Sequence, residues 1–350
     1  MYLFKKSLKL TAFCLLPFAL SAQEQPKDSV KSIEEVLISG VRAKEKSPIT
    51  FTNVSKAQIA PRNLGQDIPI LLNYLPSVVT STDAGAGIGY TSMRVRGSDG
   101  SRINVTLNGV TFNDSESQGT YFVNLPDFAS SLESIQLQRG VGTSTSGAGA
   151  FGASLNLQTK ASQPNGYAEI ANSIGSFGTR KHTLAFGTGL HNNFEMNARV
   201  SKIESDGYID RASSNLFGYY FDANYITKNT IIKAIAFGGK EKTYQSWNGL
   251  EDEDKLKDDR TYNSAGQYTD ADNNTQFHEN EVDNYGQNHF QLHWNQKLAK
   301  KWQSNIALHY TLGKGYFEQF KEDADFTDYN LPVFNGNTST DLVVKRWLDN

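Results

Sequence analysis

The sequence predicts a mixed α/β plug domain followed by a transmembrane antiparallel β-barrel. Three observations predict it. Between Met93 and Asn156, short alternating strands stop at Gly-bearing turns, and a Gly-rich run from Gly140 to Gly152 feeds another strand. From Gly166 onward, apolar and polar residues alternate with period two. The connections between those later strands are short at one end and long at the other, as in membrane barrels.

The elements follow in chain order. Lys5, Lys6 and Lys9, the apolar run Leu10–Leu20 and the small pair Ser21–Ala22 predict a secretory signal peptide over residues 1–22. The chain has 1 cysteine, Cys14, inside that segment; bulky Phe13 before it argues against lipidation. Disulfides and thiolate metal sites are therefore excluded from the mature chain. Residues 23–44 read as a flexible segment. They contain a short β-prone run, Glu34, Glu35, Val36, Leu37, Ile38, Ser39 and Gly40. That run is either the first strand of the next domain or a strand that pairs with another protein's sheet edge.

Residues 45–160 read as one α/β domain. A helix is expected near Asp67–Leu75. A short helix is expected to open at Leu125–Pro126–Asp127, with the proline near its start. Ile135–Arg139 reads as a strand, and Ser81–Thr91 and Asn113–Tyr121 as polar loops. Residues 166–350 supply seven clear strands and an eighth at Leu342–Trp347. In Phe194–Ser201, one face is Phe, Met, Ala and Val and the other Glu, Asn, Arg and Ser. Phe217–Tyr225 and Trp302–Leu312 repeat the pattern. Long loops are expected at 204–216, 245–282 and 321–340. The aromatic apolar face and the segregated loop lengths favour a lipid-facing barrel over a soluble sandwich.

These residues carry a family resemblance. Glu34–Gly40 resembles the TonB box of bacteroidete TonB-dependent outer-membrane receptors. Arg94, Arg96 and Gly97, with Arg102 and Leu107-Asn108-Gly109-Val110, resemble the first plug motif. Arg139 and Gly140, then Gly147 to Leu157 with Gly152 and Asn156, resemble the second. Asn108 stands where the family usually has Asp, and Gly152-Ala153 replaces a glycine pair. The resemblance implies an N-terminal fragment with plug and part of a barrel of about 22 strands. It also implies no enzyme activity, an outer-membrane location, and TonB of the inner-membrane energising complex and membrane lipid as partners. A scarce small-molecule ligand would be imported, an iron-siderophore complex before an oligosaccharide, haem or cobalamin. A passive porin or adhesin barrel and a secreted enzyme with a β-domain are the rival readings.

Candidate sites are weighed against plainer roles. The net charge of -3 argues against nucleic acid as a partner. The Gly140–Gly152 run lacks the spacing and lysine of a phosphate loop, so its glycines read as turn formers. Arg94, Arg96, Arg102 and Arg139 could meet an anionic ligand; pairing with wall carboxylates is favoured, because charges in a wet lumen need partners. Tyr90, Ser115, Gln118 and Tyr121 are the candidate ligand contacts in the two apex loops. Asp270, Asp272, Asn274 and Glu281 have EF-hand-like spacing, but Thr275 replaces the glycine. That leaves a weak calcium candidate within an acidic outer loop. No resident cofactor is expected. His289 and His293 share a strand face about 13 Å apart, too far to share a metal.

Overall fold

The protein is described here from a computed structural model covering residues 42–141, 151–250 and 252–349. The segments expected as signal peptide (1–22) and TonB box (34–40) lie outside the described residues.

The first body is a five-stranded sheet with strand order β1-β6-β7-β4-β5. Its strands are β1 (Thr50–Ser55), β4 (Ile103–Leu107), β5 (Val110–Thr111), β6 (Leu132–Arg139) and β7 (Ala153–Thr159). A separate hairpin pairs β2 (Val78–Thr82) with β3 (Thr91–Val95). β4 and β7 run parallel; the other pairs are antiparallel. Leu132, Ile135, Leu137, Leu155 and Leu107 are fully buried and fill one face. The alternate residues Asn104, Thr106, Gln136, Gln138 and Asn156 are polar yet also buried, and Thr106 and Asn156 bond to each other at 2.8 Å. Buried polar groups of this kind need such partners.

Two tight turns explain the motif glycines. Arg96–Gly97 and Asn108–Gly109 have positive φ at both residues, +52°/+83° and +52°/+82°. Two-residue hairpins require this backbone, and Asn-Gly is its strongest sequence signal.

Helix is scarcer than the sequence suggested. The Asp67–Leu75 stretch holds one turn, α2 (Ile68–Leu71), and α1 (Lys56–Ile59) is equally short. Leu75 precedes Pro76, and the residue before a proline is driven out of the helical region. Nor does Leu125–Pro126–Asp127 open a helix with proline in its first turn. Asp127 is left-handed (φ +53°) between the 3-10 turns Phe122–Asn124 and Phe128–Ser131. Its carboxylate is drawn outward into the neighbouring sheet.

That second sheet has eight antiparallel strands in the order β17-β16-β15-β12-β11-β10-β9-β8. They are β8 (Tyr167–Ile174), β9 (Arg180–Gly187), β10 (Phe194–Ser205), β11 (Ser214–Ile226), β12 (Thr230–Tyr244), β15 (Val282–Ala299), β16 (Trp302–Asp325) and β17 (Ser339–Asp349). A small hairpin, β13 (Gln267–Thr269) and β14 (Thr275–Phe277), and the helix α3 (Glu253–Asp258) lie in the long loop between β12 and β15. Strands expected to stop at 204 and 321 continue to Ser205 and Asp325, because cross-strand pairing extends them; the loops shrink to match. β16 has 24 residues, more than the roughly 9–11 a tilted strand needs to cross a bilayer. Its end at Asp325 lies on the side of the long loops.

The burial of this sheet is inverted relative to a soluble protein. On β10, Phe194, Met196 and Val200 are 61%, 44% and 44% exposed, while Glu195, Asn197, Arg199 and Ser201 are 1%, 5%, 4% and 3%. The apolar face points away from the first body and the polar face is covered by it. Only a lipid-facing wall around a polar interior favours that arrangement. Its edges are unpaired, so the sheet forms an unclosed wall rather than a complete barrel.

Candidate functional site

The first body sits on the polar face of the wall, and its core continues across the junction. Phe128 packs its ring 6.0 Å from Tyr220 on β11 and 5.0 Å from Phe237 on β12. Beside it, Pro126 enters a notch made by two glycines directly paired across strands, Gly218 and Gly239. A Cβ on Gly218 would collide with the Pro126 carbonyl oxygen, and one on Gly239 with the Pro126 ring. Glycine inside a strand weakens it, and here it marks a close approach.

Asp127 is the ionic centre of this junction. Its side chain is wholly buried and meets Lys181 on β9 at 2.6 Å and Arg199 on β10 at 3.3 Å. Thr183, Ser201 and Ser130 donate hydroxyls at 2.7, 2.5 and 2.5 Å, and Asn63 donates its amide at 3.2 Å. Burial alone would push the carboxyl up; Arg199 and Lys181 outweigh it and hold it well below the usual carboxylate range. The expected polarity is thus reversed. The described plug–wall ion pairs set a plug carboxylate against wall cations, not plug arginines against wall carboxylates. Arg139 is buried but donates to the Pro76 carbonyl (3.0 Å) and Thr52 (2.9 Å), inside the plug. Arg94, Arg96 and Arg102 are exposed and form no ion pair among the described residues.

The motif residues close the plug sheet. Asn108 accepts from the Thr159 backbone N–H (3.0 Å) and hydroxyl (3.2 Å) through Oδ1, an acceptor an aspartate would equally supply. Gly152 donates to the Arg102 carbonyl and accepts from Gly140 N–H at 2.8 Å, and a Cβ there would stand 2.6 Å from the Ser98 Cβ. Close approach, not phosphate binding, accounts for that glycine.

The apex loops divide. Ser115 and Gln118 are exposed and bonded to each other within the 113–121 loop, Gln118 donating to the Ser115 carbonyl at 2.8 Å. Asn113 pins that loop to β4, accepting from Val105 N–H (2.7 Å) and donating to the Ile103 carbonyl (2.9 Å). Tyr121 is 48% exposed at the loop's end. Tyr90 is half-buried: its hydroxyl donates to Asp283 on β15, and its ring lies edge-on to Trp247 at 5.6 Å. The polar 81–91 stretch is part strand and part buried loop, since Ser81 and Thr82 belong to β2 and Ile88 is 1% exposed.

In the acidic outer loop the Asp270 and Glu281 carboxylates are engaged by different backbone partners. Asp270 caps the β13–β14 turn, accepting from the backbone N–H groups of Asp272 (3.0 Å) and Asn274 (2.8 Å). Glu281 is buried elsewhere, accepting from Phe320 N–H at 2.7 Å. Among the described residues no group of three or more His, Cys, Asp or Glu could hold a metal. His289 and His293 both face inward, and His289 stacks 4.7 Å from Phe237.

Several residues escaped the sequence reading. Arg42, just after the 34–40 segment, donates to Gln158 (2.7 Å), Ser134 (2.9 Å) and the Asn156 carbonyl (3.3 Å). Ala43 exchanges two bonds with the Gln136 amide, at 2.7 and 3.0 Å. Asp127, Lys181 and Arg199 were likewise invisible, although the strand-interior glycines Gly218 and Gly239 were a readable hint of close packing.

Comparison with known proteins agrees with this architecture. Residues 43–154 match the model of the TonB-dependent receptor plug domain. The vitamin B12 transporter BtuB of Vibrio cholerae is 24% identical over 177 residues, covering 50% of this chain and 28% of the relative. Pseudomonas aeruginosa FpvA bound to a heterologous ferric pyoverdine superposes with TM-score 0.59 at 13% identity, over 86% of this chain and 38% of that one. The ferric-catecholate import receptor Fiu of Escherichia coli K12 gives 0.60 at 14%, over 87% and 44%. The copper transporter OprC gives 0.57 at 12%, over 77% and 38%. The chain spans less than half the length of each of these relatives. BtuB and OprC are described as transporters and Fiu as an import receptor.

Proposed function

This chain carries the plug domain of the TonB-dependent receptors, and from that premise we propose that it serves in TonB-energised import of a scarce ligand across the bacterial outer membrane. The observation that carries the proposal is the inverted wall: an apolar outer face, and a polar inner face filled by the plug. Such a pore is blocked at rest, so passage requires the plug to rearrange. Glu34–Gly40 is the segment offered to TonB, which would add a strand to it. Arg42 and Ala43 then join that segment directly to β6 and β7, so a pull on the N-terminal side reaches the plug sheet through them. A ligand can trigger exposure of the segment only by binding one plug state better than the other.

An iron-siderophore complex is the favoured ligand. Support comes from the similarity to FpvA and Fiu, whose described ligands are ferric pyoverdine and ferric catecholate. Similarity to a vitamin B12 transporter makes a cobalamin the second reading. Tyr121, Ser115 and Gln118 stand exposed at the apex, where a ligand would arrive. The test is uptake of radiolabelled ferric siderophore and of cobalamin by cells carrying the full-length protein or its Val36→Pro variant. Proline cannot donate to a ladder, so binding should persist while uptake falls to background. Uptake undiminished by Val36→Pro would overturn energised import. Saturable uptake of cobalamin alone would overturn the siderophore assignment.

A further inference from the structure

Where β2 and β3 meet the wall, three carboxyl groups are buried together. Asp67, at the start of α2, is 5% exposed; Glu241 on β12 is 2% and Asp283 on β15 is 6%. The Tyr90 hydroxyl lies among them. It donates to Asp283 Oδ2, and Glu241 is in hydrogen-bonding reach of the same hydroxyl. The Thr243 hydroxyl donates to Glu241 (3.2 Å) and the Thr91 hydroxyl to Asp67 (2.9 Å). Asp283 Oδ1 is buried and has no hydrogen-bond partner.

Among the described residues no base is paired with this charge. The groups acting on the cluster from the plug are Tyr90, Thr91 and Tyr121; from the wall they are Thr243, the Asn284 backbone N–H beside Asp283 and the carboxylates themselves. Lys240 and Lys242 flank Glu241 on the exposed face, and Lys242 is bonded to Asn280. Among the described residues no lysine or arginine is hydrogen-bonded or ion-paired to Asp67, Glu241 or Asp283. Three ionised carboxylates buried without a cation would repel strongly. A shared proton removes that penalty and gives the unsatisfied Asp283 oxygen a bond.

We propose that Tyr90, Asp67, Glu241 and Asp283 form a proton-held latch that keeps the 83–90 apex loop seated beneath the rim of the wall. The latch is built from two plug segments, the start of α2 and the end of the 83–90 loop, and two adjacent wall strands, so opening it separates plug from wall at the ligand-facing end. It depends on neither ligand nor TonB, and it stands or falls apart from the transport reading. Burial pushes the Asp67 carboxyl up to about 8, against the smaller opposing effect of its bond from Thr91. A carboxyl raised in the folded state contributes fully below its unfolded pKa of about 4, and that contribution is lost as pH rises through about 8. The latch is therefore tight in mild acid and loosens on the alkaline side.

The experiment uses the full-length protein in outer-membrane vesicles without ligand, with a nitroxide on Ala86→Cys read by electron paramagnetic resonance. The label should be immobile at low pH, and a mobile component should grow as pH rises toward about 8. Asp67→Asn should stay immobile at pH 9, and Tyr90→Phe should be mobile at pH 6. Heat-modifiable gel mobility reports folding of each variant, and Glu241→Gln substitutes for Asp67→Asn if that variant does not fold. Mobility independent of pH, or the parent's transition kept in both carboxyl variants, overturns the latch. Immobility restored at pH 9 by calcium would make the cluster a cation site and also overturn it.

Discussion

Asp127 shows how much one side chain can decide. It answers two wall cations and several hydroxyls while buried completely. Replacing it with Asn keeps the shape and leaves Lys181 and Arg199 facing no charge. Removing one partner of a buried pair costs about 3–5 kcal/mol, so Asp127→Asn should lower the melting temperature of the detergent-solubilised protein and render the plug sensitive to protease. The sign with pH follows from the depressed carboxyl. Its contribution is present above the unfolded value of about 3.9 and is lost only as pH falls through the lower folded value. Plug docking at this point should thus survive mild acid, opposite in sense to the Asp67 latch. Nothing in the sequence around Asp127 announced this, because Arg199 lies 72 residues away. The Asn108–Gly109 turn, by contrast, was legible at once, since its geometry is local.

At the scale of elements, the wall strands were readable and the plug helices were not. Period-two alternation fixes which residues share a face whatever the strand pairs with. The one-turn helices α1 and α2 have no such signature, and the expected Asp67–Leu75 helix ends at Leu71. Strand ends were misplaced for a different reason: they are set by the partner strand, as where β16 runs on to Asp325 against β17. Two substitutions on the same strand separate the faces. Phe221→Arg, on the outward side of β11, should cost about 2–4 kcal/mol if it lies at the bilayer midplane. That loss would appear as reduced insertion into liposomes. Gly218→Ala, on the inward side, leaves the lipid face untouched. It should instead unseat Pro126 and cost about 1–3 kcal/mol of overpacking strain, read as earlier thermal release of the plug with insertion unchanged.

The molecule as a whole is a polar-lined wall with a packed domain held against it. The plug core and the wall share one apolar cluster, from Leu137 and Leu155 through Phe128 to Phe237. A row of large apolar residues, among them Phe221, Leu292, Trp294 and Leu308, is left to the outside. An apolar surface that continuous needs an amphiphile. Diluting detergent below its micellar concentration should therefore aggregate the purified protein, and light scattering would detect it; a monodisperse protein without detergent would contradict the wall reading. The sequence by itself determined the fold class, the order of plug before wall, the two faces of every wall strand and the motif turns. Each depends on neighbours within a few residues, where periodicity and backbone sterics act. Only the tertiary structure decided which charges meet across the junction, and that Tyr90 ends among three carboxyl groups. Those outcomes depend on residues far apart in the chain being desolvated together, and the free energy of a buried charge is set by what surrounds it in space.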